Sequence, residues 1–375
     1  MRFIHTADWH LGKSLKNQFL IDDQKYILER FLEIVDEQKV DAIIIAGDIY
    51  DRNVPPEEAV NLFDWILNEL IIERGLHVLG VAGNHDSEGR LNFGHKLFDN
   101  TKFHIRAKLT EDMAPIILND EYGEIYFSLI PYFEPSKVRV ALNLEDEEEL
   151  SFNEAAKKII DIARSKIPIN ARSVAITHAF IVGGKESGSE RKLPGGAGKI
   201  NPVHFKDYNY TALGHLHGTT STNSKVRYSG SLLKYSFDEW KQPKSVTIVE
   251  IDGVGNVSIN NNLPLIPKHD VRVVTGTIQN ILDNEPESDD YISVQYEGVN
   301  FPNLNAKLRN KFINLLEFKP IDRALSRATE NAMQREGMSN VELFKNFFKD
   351  TTGQDMTNEE LLTVTKLIES MERGN

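Results

Sequence analysis

The sequence predicts an α/β fold built on a parallel sheet, and three observations carry that expectation. Short β-branched runs, of the kind buried on both faces of a parallel sheet, recur at Phe3 to Thr6, Ala42 to Ala46 and Val78 to Ala82. Helical patterns fill the intervals between them, as βαβ units require. Each run also leads into residues able to bind a ligand, and open α/β sheets place their ligands at the carboxyl ends of strands.

Taken in order, Phe3 to Thr6 leads into Asp8 and His10, and Ile27, Phe31, Ile34 and Val35 mark one face of a helix over Asp22 to Glu37. Asp41 to Arg52 holds the next strand, stopped by Gly47 with Asp48 at its carboxyl end. Pro55 and Pro56 open a helix through Leu70, and Leu76 to Ala82 is a strand before Asn84 and His85. Right-handed crossovers bring all these strand ends to one edge. Ile116 to Leu118 and Ile125 to Ile130 predict a hairpin, and an acidic run at Glu145 to Glu149, read as a solvated face, precedes a helix over Asn153 to Ser165. Val174 to Thr177 leads to His178, and Tyr210 to Leu213 leads to Gly214-His215-Leu216-His217. Between them Gly183 to Gly198 reads as a mobile loop. Its Gly-Gly-Ala-Gly-Lys fails as a phosphate-binding loop, because Leu193 stands where glycine is required and Ile200 where Ser or Thr belongs.

Strands resume at Val226 to Tyr228, Ser245 to Ile251 and Val257 to Asn261, and a boundary falls near Leu263 to Pro267. Beyond it, Val271 to Ile278 and Tyr291 to Glu297 read as strands around an acidic loop, followed by a helix over Asn303 to Asn310, a small α+β unit. From Ile321 the pattern is helical. Ser339 with Glu342 and Thr357 with Glu360 have capping-box spacing, and Leu361, Val364, Ile368 and Met371 form an apolar stripe that docks either on its own domain or on another protein, which periodicity does not separate.

The 375 residues, 40% hydrophobic and 26% charged, suffice for two or three domains with a sizeable core. No run of 18 apolar residues occurs, so neither a membrane span nor a signal peptide is expected. Zero cysteines remove disulfides and thiolate ligands, in keeping with a reducing cytoplasmic location. The net charge of -13 excludes nucleic-acid binding through the overall field, yet a carboxylate site loaded with cations still presents positive potential to phosphate.

Asp, His and Asn donors without cysteine suit Mn(II), Fe(II) or Zn(II). In an extended Asp8-x-His10 both side chains face the same way, and His215-x-His217 repeats the spacing. The seven donors Asp8, His10, Asp48, Asn84, His178, His215 and His217 are too many for one ion. They suit two ions roughly 3.5 to 4 Å apart with a bridging carboxylate, for which Asp48 is the candidate. His85 follows a donor directly and is expected to face substrate, either protonating a leaving oxygen or holding the developing phosphorane charge. Asp86 either orients it or caps the following segment. His5, His77, His95, His104, His204 and His269 are read as structural or surface, and Tyr132, Phe133 and Trp240 as core packing.

The five motifs Asp8-x-His10, Gly47-Asp48, Gly83-Asn84-His85-Asp86, His178 and Gly214-His215-x-His217 resemble those of the calcineurin-like metallophosphoesterases. Within that superfamily, Ala7 to Gly12, Gly47 to Arg52 and the domain order resemble the SbcD family of nuclease subunits. The resemblance implies a four-layer metallophosphoesterase β-sandwich flanked by helices over residues 1–264, a small α+β capping domain over 265–320 and a helical tail over 321–375. It implies two Mn(II) ions, one on Asp8, His10, Asp48 and His217 and the other on Asp48, Asn84, His178 and His215. The implied activity is phosphodiester hydrolysis, as a 3′ to 5′ exonuclease on duplex DNA and an endonuclease on single strands and hairpins, in DNA repair, recombination and replication. The implied partners are DNA, an SbcC-type ATPase bound by the tail, and a second copy of the chain. Asp51 stands where archaeal members carry a second histidine, so that histidine's role is not carried over.

A small-molecule or cyclic-nucleotide phosphodiesterase of the same superfamily is the alternative, disfavoured by the capping unit and tail. A phosphoprotein phosphatase shares Gly-Asp-x-x-Asp-Arg but has glycine where Asn53 stands, and a scaffold without metals is disfavoured by the filled donor positions. Lys185, Arg191, Lys192 and Lys199, interspersed with Glu186 and Glu190, are the candidate DNA contacts.

Overall fold

In the computed structural model two six-stranded sheets lie face to face, each turning alternate side chains into a shared core. The structure describes residues 1–98, 101–144, 150–183, 188, 190, 198–221, 225–297 and 303–321, with positions 344, 345, 348, 356, 357, 360, 361 and 363–365. The first sheet runs Val257–Pro264, Ser245–Ile251, Arg2–Thr6, Ala42–Ala46, His77–Val81, Phe103–Arg106. Its last four strands are parallel, as the βαβ reading requires. The second runs Thr220–Ser221, Val226–Tyr228, Tyr210–Gly214, Arg172–His178, Gly123–Ile130, Ile116–Asp120, parallel through its middle four and antiparallel at each edge.

The period of two along each strand explains the four layers. Phe3, Ile44 and Leu79 from the first sheet meet Phe127, Ile176 and Tyr210 from the second. The alternate residues Ile4, Ile43 and Ile45 face outward, packing on Phe31 of helix Ile21–Gln38 and Leu62 of helix Glu57–Leu67. Both faces of Ala42–Ala46 are therefore covered, which is why that strand is wholly apolar; each isoleucine so buried contributes roughly 1.5–3 kcal/mol. Outside the second sheet, helix Phe152–Ser165 packs through Ile159 and Ile160 and opens with a Ser151/Glu154 capping box. The helix expected through Leu70 runs from Glu57 to Leu67 and widens into a π-helical segment at Asn68–Glu73.

Past Pro264 the chain forms a smaller body with a core of its own. Strands Val271–Thr277, Tyr291–Glu297 and Leu315–Pro320 are parallel, joined by helices Ile278–Asn284 and Leu304–Lys311. The acidic loop expected between the first two strands thus contains a helix, and a third strand follows. Asp23 on the first helix binds this body, accepting from Tyr291 Oη at 2.7 Å and meeting His269 Nδ1 at 2.7 Å. Thr357 and Glu360 bond reciprocally as a capping box. Glu145 to Glu149, Ser339, Glu342, Ile368, Met371, Lys185, Glu186, Arg191 and Lys192 lie outside the described residues. No helix among the described residues is long and apolar enough to cross a membrane.

Candidate metal centre

Strand ends of both sheets converge on one edge, and the backbone there is strained. Asp8, His10, Asp48 and His215 all have positive φ (53°, 45°, 49° and 108°), a region that costs non-glycine residues of order 1–3 kcal/mol each. The extended Asp8-x-His10 of the sequence reading is therefore incorrect: the segment turns through left-handed residues, held by Asp8 N to Gly47 O (3.0 Å) and His10 N to Asp48 O (2.9 Å). Both side chains still reach the same group, because Asp8, His10 and His217 offer ligand atoms within 4.8 Å of one another. Gly47, at φ 90°, leaves room for the His178 ring; a Cβ there would fall on it.

Asp48 occupies the middle. Its Oδ2 lies 3.6 Å from His10 Nε2 and 3.4 Å from His178 Nε2, and its Oδ1 accepts from His85 N at 2.9 Å. His178 Nε2 is 2.9 Å from Asn84 Oδ1, and His215 Nδ1 is 3.4 Å from the same oxygen. His217 turns its Nε2 to His10 Nε2 at 3.1 Å. Thus His215 and His217, two residues apart, address different partners, Asn84 and His10. Asp8 sits between, within reach of His178 Nδ1 at 3.8 Å and accepting the His215 amide at 3.0 Å. A third group, His10, Asp51 and His85, adjoins these, with Asp51 Oδ1 also paired to Lys13 at 2.6 Å.

Burial pushes His10, His178 and His215 down to about 3, so all three are neutral with a lone pair to give near neutral pH. Burial and the adjacent Asp48 charge push Asp8 well up. Imidazole nitrogens facing one another and two carboxylates sharing a buried space mark a set of donors lacking an acceptor for their electrons. These residues fit divalent metal ions.

His85 lies beside this set. Its Nδ1 is 2.8 Å from the Asp51 carbonyl oxygen, which only accepts, so Nδ1 carries the hydrogen and Nε2 is left to face outward chemistry. Asp86 does not orient it. The Asp86 carboxylate instead accepts from the amides of Ile49 (3.1 Å), Tyr50 (2.9 Å) and Gly83 (2.9 Å), tying the two loops together. A cavity of about 580 Å³ opens beside Asn84, His178 and His215, walled by Tyr132, Phe180 and Lys199. Of the three aromatics assigned to core packing, only Phe133 is fully buried. Tyr132 lines the cavity with its ring 6.3 Å from His178, and Trp240 is 37% exposed under Lys241. The remaining histidines make structural contacts, such as buried His5 to Tyr210 Oη at 2.8 Å and His204 to Asn153 at 2.9 Å.

Sequence reasoning missed Glu239, Lys244 and Glu190. Glu239 lies 3.1 Å from His217 Nδ1, Lys244 pairs with Glu239, and Glu190 accepts the His217 amide at 3.0 Å. None follows a strand end or a helical period. Tyr235 to Val246 holds two acids and two lysines among other polar residues, so nothing in it singles out Glu239 and Lys244 as buried.

Residues 1–218 match the calcineurin-like phosphoesterase family. The chain is 32% identical over 371 residues to the SbcD subunit of the SbcCD nuclease from Staphylococcus epidermidis, covering 95% of both chains. Among solved structures it is similar to TT1561 of Thermus thermophilus (13% identity, 69% of this chain and 98% of that one, TM-score 0.39). It is also similar to a dimetal phosphatase from Danio rerio (11% identity, 71% and 96%, TM-score 0.40). Those two likenesses are too weak to add to the reading. The family match and the full-length relative decide it: the chain belongs to the calcineurin-like phosphoesterases and, within them, to the SbcD family of SbcCD nuclease subunits.

Proposed function

We propose that this chain is the metal-dependent nuclease subunit of an SbcCD-type complex, a phosphodiester hydrolase acting on DNA. The observation that carries the reading is the meeting of Asp8, His10, Asp48, Asn84, His178, His215 and His217 at one sheet edge in a chain related over nearly its whole length to such a subunit. Asp8, His10, Asp48 and His217 would hold one Mn(II) ion, and Asp48, Asn84, His178 and His215 a second. When bound, the pair supplies an activated water and neutralises charge on the phosphoryl oxygens.

The chain's own residues do the rest. His85, its Nδ1–H fixed on the Asp51 carbonyl, acts in its imidazolium form, delivering the Nε2 proton to the leaving sugar oxygen and being left as the neutral Nδ1–H ring. Asp86 keeps the His85 loop in register with Asp48 by accepting hydrogen bonds from the Ile49 and Tyr50 amides, and braces its own loop by accepting from Gly83 N. Tyr132, Phe180 and Lys199 offer rings and a cation to the nucleotide beside the scissile bond, which supports cleavage of nucleic acid. In the same reading the chain acts as a 3′ to 5′ exonuclease and a single-strand and hairpin endonuclease, residues 265–320 cap the DNA site, and residues 321–375 bind an SbcC-type ATPase. Phe93 and Leu97, 81% and 74% exposed just past the His85 loop, support self-association through that face.

The test is a manganese-dependent assay on hairpin and single-stranded DNA beside a chromogenic phosphodiester and a phosphopeptide. Wild type is expected to cut DNA, and His85→Gln to lose cleavage while still binding manganese. Hydrolysis of the phosphopeptide alone would reject the nuclease reading, and hydrolysis of the small diester alone would favour a small-molecule phosphodiesterase.

A further inference from the structure

Behind the donors, the most heavily built contact lies at the back of His217. Its Nε2 faces His10, while its Nδ1 lies 3.1 Å from Glu239 Oε1. Glu239 is wholly buried at the end of the turn Phe237–Glu239, and its other oxygen accepts from Lys244 Nζ at 2.6 Å. Lys244, also buried, donates in addition to the His217 carbonyl at 2.8 Å, to Ser231 Oγ at 3.0 Å and to Gln242 Oε1 at 3.2 Å. One lysine therefore grips the histidine twice, through its main chain and through the carboxylate that holds its ring.

A carboxylate accepts and does not donate, so the ring hydrogen of His217 sits on Nδ1 and the Nε2 lone pair points to the donors. A buried ion pair is a poor source of stability, since apolar residues of the same volume usually serve as well. Its place behind one donor, with each member bonded to that donor, calls for another role. We propose that Glu239 and Lys244 are positioning residues: Glu239 fixes the tautomer and ring plane of His217 so that Nε2 is presented to a divalent cation, and Lys244 holds Glu239 in place. The inference rests on the reading of His217 as a metal donor.

The test uses the full chain, manganese calorimetry, and nitrogen NMR of the histidine rings in the metal-free protein. Wild type is expected to show His217 with hydrogen on Nδ1. Glu239→Leu is expected to release the Nε2–H tautomer and weaken one manganese site by about 10–100-fold. Glu239→Gln made together with Lys244→Met, which leaves the single amide oxygen free to accept from His217 Nδ1, is expected to restore the tautomer and most of the affinity. Because a lysine stranded in the interior endangers the fold, Glu239→Leu is also made together with Lys244→Met and checked by its melting curve. A folded double variant with wild-type tautomer and affinity would overturn the proposal. So would a wild-type spectrum with hydrogen on Nε2, whatever the variants do. If wild type binds no manganese, or His217→Asn binds it unchanged, the metal reading fails instead.

Discussion

Gln24 offers a clean way to disturb the site without touching a donor. It lies buried in the first turn of helix Ile21–Gln38, and its amide reaches across to the left-handed segment that carries Asp8 and His10. Its Oε1 accepts from Gly12 N at 2.9 Å, and its Nε2 donates to the His10 carbonyl at 2.7 Å. Gln24→Leu keeps the volume and removes both bonds, together with the longer 3.3 Å bonds of Nε2 to the Trp9 carbonyl and to Tyr235 Oη, partners that remain bonded to each other. The Gly12 amide loses its acceptor, whereas the His10 carbonyl retains Lys13 N at 3.0 Å. One orphaned buried donor and one weakened acceptor together cost about 2–4 kcal/mol. For a body of this size that lowers Tm by roughly 4–7 °C. The segment should also relax away from positive φ, moving His10 and weakening one manganese site by about tenfold or more. Calorimetry of the metal-free variant measures the first effect, and manganese titration the second. An unchanged Tm would refute the hydrogen-bond argument. A lowered Tm with unchanged manganese binding would refute the coupling between this loop and the centre.

Three further outcomes follow from the geometry. A Cβ at Gly83 would land on the Asp48 carboxylate, 2.8 Å from its Cγ, so Gly83→Ala should abolish tight manganese binding in calorimetry; wild-type affinity would show that Asp48 is free to move. Arg172 grips Asp120 at 2.6 and 2.8 Å and holds its carboxyl below the usual range, so this pair stabilises the fold above about pH 4 and loses that contribution as pH falls further. Asp120→Asn should flatten the acid limb of a pH–Tm profile below about pH 4, and an unaltered limb would assign acid sensitivity elsewhere. Deleting residues 339–375 should abolish co-purification with an SbcC-type ATPase, and unchanged capture would return the Leu361 stripe to packing on its own chain.

Much of this was legible because ligand chemistry sits at strand ends, where sequence pattern is strongest. The run Ala42 to Ala46 is buried on both faces, so its period could not mislead, and Gly47-Asp48 marks where it stops. His178, His215 and His217, which the fold brings to the same edge, were picked out as candidates the same way. What escaped detection depends on contacts between distant segments. Nothing local tells that Asp8 and His10 take left-handed conformations, since those are imposed by bonds to Gly47 and Asp48, some forty residues on. Glu239 and Lys244 sit on a single turn and a strand start, where no period exists to expose a buried polar residue. Asp86 was ambiguous for a related reason: whether it bonds a neighbouring ring or a distant amide is settled by the approach of the Ile49–Tyr50 loop.

The arrangement of strain explains how such a site stands ready for a cation. Four donors, Asp8, His10, Asp48 and His215, sit at positive φ, and Asp8 and Asp48 bring two carboxylates into one buried space. Left to local preference, each of those residues would rotate back toward the β region at a gain of order 1–3 kcal/mol. They are prevented by the bonds of Asp8 N to Gly47 O and His10 N to Asp48 O, and by contacts from outside the donor set, Gln24 on the His10 loop and Asp86 on the loop after Asp48; Ala46 O on His178 Nδ1 at 3.0 Å and Glu239 on His217 fix two further rings. Each restraint comes from a helix, a loop or a strand that already packs in one of the main cores. The folding energy of those cores therefore sets the donor positions, and an ion that binds only the folded chain adds its own stabilisation afterwards. A site assembled in this order loses its geometry through the restraints before it loses its ligands, which is why the variants that test it best are at Gln24, Gly83 and Glu239 rather than at the donors.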